Sequence, residues 1–139
     1  MTSLYLESSA LLTWLLGEPR AEEVRSRVDS SKVVVTSVLT LVEVERALIR
    51  AESRQLLTAA QTENLRGLLA RCRRGWILME ISAEVRSRAS RPFQAEPLRT
   101  IDAIHLATAL IFIRAFPDLH LMSYDQRILE NARALGIDC

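Results

Sequence analysis

Val33-Val34-Val35-Thr36-Ser37-Val38-Leu39-Thr40-Leu41-Val42-Glu43-Val44-Glu45-Arg46-Ala47 is the stretch from which the fold can be read. Its three consecutive β-branched residues are the clearest strand signal in the chain. Thr36 or Ser37 then stands where a helix N-cap belongs, and apolar residues recur at helical spacing towards Arg50. A strand that passes directly into a long helix is the building unit of an α/β protein.

The same alternation continues on both sides. Towards the amino terminus, Leu4-Tyr5-Leu6 reads as a short strand before a helix over 8–16, and 21–28 is amphipathic with Val24 and Val28 on one side. Towards the carboxyl terminus, the polar Ser53-Arg54-Gln55 joins the long helix to a second one over 58–72 as a helical hairpin. Trp76-Ile77-Leu78-Met79 predicts a third strand, and Ser82 caps the helix after it. The segment 91–99 holds Pro92 and Pro97 and reads as a loop. Thr100 opens an apolar helix, Leu119-His120-Leu121-Met122 is a fourth strand, and a last helix over 126–135 ends at Gly136. Strands separated by helices pair in parallel and are covered on both faces. The expectation is a single domain over 1–139, a three-layer α/β/α sandwich around a mostly parallel sheet.

Composition bounds the function classes. A chain of 139 residues, 49% hydrophobic and 25% charged with four Gly and four Pro, has the make-up of one globular core without long flexible linkers. The net charge of +1 neither demands nor excludes a polyanionic partner. Lys32 is the sole lysine among 18 basic residues, so cationic contacts here are made by arginine, which forks onto phosphate or carboxylate. An arginine-favouring codon usage accounts for the bias equally well. Cys72 and Cys139 are far apart and lack metal-ligand spacing, which suits a reducing cytoplasm. The apolar segment 101–116 carries Asp102, His105 and Arg114 and is shorter than a membrane span, so it predicts a buried helix. No basic segment precedes the first apolar run, so no secretory signal is expected. There is no Gly-rich phosphate loop. A phosphotransfer receiver is disfavoured as well, because no Asp follows 33–35 and Lys32 lies before that strand.

In open α/β sheets, ligands sit beyond the carboxyl ends of the strands. Glu7 directly follows the first strand, and Asp125 follows the fourth in Ser123-Tyr124-Asp125. Each, taken alone, is more readily a helix cap than a catalytic group. Glu43 and Asp102 lie within apolar helices, where a buried carboxylate must be paired or bound to a cation. Periodicity leaves Glu43 and Glu45 as alternatives, and Glu43 could pair with Arg46 or Arg50. Arg71, Arg73 and Arg74 form a basic cluster; Arg86, Arg88, Arg91 and Arg99 form a looser series. His105, one turn after Asp102, reads more readily as a satisfied core histidine than as a base. Trp14 and Trp76 read as core.

Four short stretches, in order, are familiar. Tyr5-Leu6-Glu7-Ser8-Ser9-Ala10-Leu11 resembles the opening of PIN-domain proteins, and 37–47, with Glu43 before Arg46-Ala47, resembles their second acidic motif. Arg99-Thr100-Ile101-Asp102-Ala103-Ile104-His105-Leu106-Ala107 resembles the third, and Ser123-Tyr124-Asp125 with Arg127 and Ala134-Leu135-Gly136 resembles the last. The ordered set spans essentially the whole chain and, with its size, is similar to toxins of the VapC type.

The resemblance selects Glu43 over Glu45. It implies a cytoplasmic endoribonuclease that uses Mg²⁺ or Mn²⁺ and leaves 5′-phosphate and 3′-hydroxyl ends. Glu7, Asp102 and Asp125 would be its direct or near-direct ligands, Glu43 would ligate or position the water or metal, and Ser8 and Ser123 would orient the carboxylates. It further implies an antitoxin partner that can place an arginine among the acids, and a homodimer formed through the helices of 36–72. Arg71, Arg73, Arg74 and Arg99 become candidate contacts to RNA phosphates. Glu7 departs from the family, which has Asp there. One more methylene displaces the carboxylate, and metal-assisted phosphoryl chemistry is sensitive to such displacements. The second reading is therefore a PIN-like protein that binds RNA or its partner without hydrolysis.

Overall fold

The structure, a computed structural model, describes residues 2–139. Among these residues the chain runs β1 (Ser3–Leu6), α1 (Ser8–Leu15), α2 (Ala21–Ser30), β2 (Val33–Ser37), α3 (Val38–Ser53) and α4 (Ala59–Cys72). It continues through a 3₁₀ turn (Arg73–Gly75), β3 (Ile77–Met79), α5 (Ala83–Ala89), α6 (Thr100–Ala115), β4 (His120–Met122) and α7 (Gln126–Ala134). The expected elements are present, with ends displaced by a residue or two where terminal turns fray.

Local chemistry starts and stops these elements where the sequence predicts. Ser37, rather than Thr36, caps α3 by accepting from Leu39 N. The freed Thr36 hydroxyl crosses to the Leu6 carbonyl at 2.7 Å and so ties β2 to β1. Thr58 and Gln61 form a reciprocal capping box at α4, and Ser82 caps α5. Helix α7 ends on Gly136 at φ +77, a left-handed position that costs glycine nothing.

The sheet has the order β3-β2-β1-β4 with every pair parallel. Strand alternation feeds two cores. Leu4, Leu6, Val34 and Met122 pack with Ala10, Leu11, Val24, Val44 and Leu48 from α1, α2 and α3. Tyr5, Val35 and Leu121 point the other way, onto Leu106, Ala109 and Phe112 of α6 and Ile128 and Ala132 of α7. This is the three-layer sandwich.

The chain winds outward from β1 to β2 to β3, then returns to place β4 on the other side of β1. The switch in winding therefore lies between β1 and β4, and residues just beyond the carboxyl ends of these two strands flank the crevice it opens. Glu7 and Asp125 occupy those positions.

Candidate active site

Glu7 caps α1 and is also buried, at 3% exposure. Its carboxylate accepts from Ser9 N (2.8 Å), Ser9 Oγ (2.5 Å), Ser123 Oγ (3.0 Å) and Ser8 Oγ (3.1 Å). The two serine hydroxyls on Oε2 are themselves oriented. Tyr124 N donates to Ser9 Oγ at 2.9 Å and Asp125 N donates to Ser123 Oγ at 3.0 Å. Each hydroxyl thus accepts a hydrogen bond from an amide of the β4–α7 turn and donates its own to Glu7. The carboxyl ends of β1 and β4 are joined by this relay, which keeps a buried anion satisfied.

Asp125 caps α7 through the amides of Arg127 (2.9 Å) and Ile128 (3.2 Å). Its other oxygen faces Arg99 Nη2 at 3.1 Å. Asp102, in the first turn of α6 and 2% exposed, is held by the Arg99 fork at 2.9 and 3.0 Å. One nitrogen, Arg99 Nη2, therefore touches both Asp102 and Asp125. These bonds, that to Asp102 first, push the guanidinium pKa further up.

Glu43 projects from α3 to His105 Nε2 at 2.5 Å, not to Arg46 or Arg50. His105 is fully buried, and its Nδ1 meets the Tyr5 hydroxyl at 2.9 Å. The tautomer with hydrogen on Nε2 satisfies both bonds. Burial, and then the charge of Glu7, raise the Tyr5 pKa, so this phenol stays a neutral donor. Glu45, two residues on and so across the helix, accepts from Arg66 Nε at 2.8 and 3.1 Å and binds α3 to α4.

The fold brings Glu7, Ser8, Ser123, Asp102, Asp125 and Arg99 together at the crevice, with the charge of Glu43 close enough to act on Arg99. It does not bring Arg71, Arg73 or Arg74 there. They are exposed at the end of α4 and in the turn that enters β3, at the opposite end of the sheet from the acids. Sequence reasoning named Ser8 and Ser123 and passed over Ser9, which makes two bonds to Glu7. The signal was available, because the residue two beyond an N-cap presents its amide to the capping side chain.

Carboxylate oxygens with hydroxyls behind them are the donor chemistry of a hard divalent cation. Among the described residues, no three His, Cys, Asp or Glu side chains converge closely enough, as they stand, to coordinate one. The position of Arg99 Nη2 is nevertheless a point at which a positive charge meets two carboxylates. The oxygen donors are thus of the kind a hard cation takes, and the positive charge that two of the carboxylates share here is the Arg99 guanidinium.

An open α/β sheet with acids at the strand switch and on two helices defines a class of protein, and comparison with known proteins names it. The PIN domain model matches residues 4–134, and the chain belongs to the PIN-domain family. Ribonuclease VapC35 of Mycobacterium tuberculosis is 38% identical over 136 residues, covering 96% of this chain and 93% of that protein. Ribonuclease VapC46 of the same organism is 33% identical over 140 residues, covering 99% and 95%. Among solved structures, the M. tuberculosis toxin VapC20, described as cleaving the sarcin-ricin loop, superposes with a TM-score of 0.64 at 16% identity, covering 96% and 95% of the two chains. A chain of a toxin–antitoxin complex from Klebsiella pneumoniae gives 0.61 at 20% identity, covering 91% and 89%. At these identities the two structures establish the shared fold.

Proposed function

We propose that this chain is a divalent-metal-dependent endoribonuclease and the toxin of a toxin–antitoxin pair, built as one domain over 1–139. The observation that carries the reading is the meeting of buried Asp102 with Asp125 at a single cation position, with Glu7 linked to the same turn through Ser123. Relatives named as ribonucleases align over nearly the whole chain, which speaks against the reading in which Glu7 leaves binding without hydrolysis.

Asp102 and Asp125 would hold Mg²⁺ or Mn²⁺, with Glu7 reaching it from the serine network. A cation held there supplies Lewis acidity that activates water and neutralises charge developing on the phosphodiester. The chain's own residues do the placing. Ser9 and Ser123 fix the direction of the Glu7 carboxylate, and His105 fixes that of Glu43, which is the group available to take a proton from attacking water.

RNA binding draws on cations nearer than 71–74. A cavity of about 370 Å³ runs beside β4 and reaches the crevice through Ser123 and Tyr124. Arg27 and Arg133 line it, and among the described residues neither has a carboxylate partner. Arg20 stacks on the Tyr124 ring 4.3 Å from its centroid. Guanidinium groups beside an aromatic face suit a phosphate backbone with unstacked bases.

The partner reading rests on the toxin–antitoxin complex of similar fold. Homodimer formation rests on Val42 and Ile49, which are 58% and 38% exposed and one heptad apart on the face of α3. Among the described residues no helix is long and apolar enough to cross a membrane, and a cytoplasmic site of action accords with the two free thiols.

The test is cleavage of RNA by partner-free protein in Mg²⁺ and Mn²⁺, with and without EDTA, beside Asp102→Asn. Cleavage that EDTA and Asp102→Asn both abolish, with product ends that accept 5′-phosphate-dependent ligation, is the expected result. Cleavage indifferent to both would refute the reading.

A further inference from the structure

Arg99 is the one site residue whose role the metal reading leaves open. Its side chain is 73% exposed, yet its three polar contacts all go to the two acids that would ligate a cation. Both oxygens of Asp102 are taken by the fork, and Nη2 extends to Asp125. The pairing comes from sequence-local geometry, since Arg99 is the N-cap residue of α6 and Asp102 lies three residues on.

We propose that Arg99 is a built-in counter-cation that takes the metal position in the metal-free protein and has to swing out for a divalent ion to enter. This rests on the metal reading above. Two needs meet in one side chain. Asp102 is buried, where a carboxylate needs a cationic partner, and the Arg99 fork supplies one through both of its oxygens. A divalent ion beside the guanidinium would place like charges on the same two carboxylates, so the two cations exclude each other. Only the guanidinium end must move. Its high exposure gives it room to turn into solvent or towards a substrate phosphate without disturbing α6.

Exclusion of this kind lowers apparent metal affinity by the fraction of molecules in which Arg99 is out. If Arg99 is in place about nine-tenths of the time, its removal tightens metal binding about tenfold. The test is direct Mn²⁺ binding, by calorimetry and by the electron paramagnetic resonance signal of free Mn²⁺, for the native protein, Arg99→Gln and Arg99→Lys. The expected order is Arg99→Gln tightest, Arg99→Lys between, and native weakest, because lysine keeps the charge but not the fork. Equal or weaker binding by Arg99→Gln overturns the proposal and leaves the metal reading intact. No Mn²⁺ binding by any of the three proteins overturns both.

A second measurement needs no variant. The Arg99 Nε–H resonance of the native protein, followed during titration with diamagnetic Mg²⁺, should leave its hydrogen-bonded position as the ion loads. A resonance that stays put while Mg²⁺ binds overturns the proposal.

Discussion

Replacing Glu7 with glutamine separates its service to the fold from its service to chemistry. The side chains have the same length, so the amide oxygen can take the place of Oε2 and still accept from Ser9 N, Ser9 Oγ and Ser123 Oγ. The amide NH₂ then faces Ser8 Oγ, which can accept as readily as donate. The charge assistance on all four bonds disappears. Charge-assisted bonds are about twice as strong as neutral ones, so the four together lose about 2 kcal/mol. Relief from burying an ionised group offsets part of this, leaving a net loss of about 1 kcal/mol. For a domain of this size that lowers the melting temperature by about 4 °C. Catalysis should suffer far more, beyond the roughly 10–100-fold that losing a partner of a metal ligand causes. The assays are thermal melting in EDTA and single-turnover RNA cleavage on the same preparation. Cleavage within about threefold of native, far short of that loss, would show that Glu7 is only a cap. A melting temperature lower by tens of degrees would show that the relay, and not the site, is what the charge maintains.

Other consequences come from the same geometry. Tyr5→Phe leaves His105 Nδ1 buried without a partner, which costs about 1–3 kcal/mol; melting reads this, and a cleavage rate that falls with KM unchanged would place Tyr5 behind Glu43 as a positioning residue. Glu substitutions at Val42 and Ile49 together should give a monomer by light scattering with unchanged far-ultraviolet circular dichroism; a dimer that survives them is built elsewhere. Burial, and then Arg27, hold the pKa of His120 below its ordinary value of 6.5. The unfolded chain therefore binds more protons as pH drops through 6.5, and the folded state loses stability from there down to the folded pKa. Melting of His120→Gln should fall less steeply between about pH 7 and 5 than melting of the native protein, and parallel curves would refute the assignment.

The fold was legible because each strand feeds two cores by simple alternation. Leu4 and Leu6 against Tyr5, or Val34 against Val35, define a sheet covered on both faces. The order of strands was not legible, since nothing local in His120-Leu121-Met122 says that it lies beside β1. The positions of Glu7 and Asp125 came from the rule for strand ends, and the plain reading of them holds: each caps a helix, at a place that also faces the crevice. Glu43 and Glu45 could not be separated by periodicity. Their partners come from α6 and α4, sixty-two and twenty-one residues away. Arg99 stood among the candidate phosphate contacts, although its spacing to Asp102 already favoured an ion pair. The groove lined by Arg27 and Arg133 joins α2 to α7 and has no signature along the chain.

The most direct test of the metal site is the anomalous scattering of a crystal soaked in Mn²⁺. One or more Mn²⁺ peaks bonded to carboxylate oxygens of Asp102 and Asp125, with Glu7 reaching the same ion or its water, are the predicted result. Mn²⁺ bound elsewhere, with no metal between Asp102 and Asp125 at saturation, would contradict it.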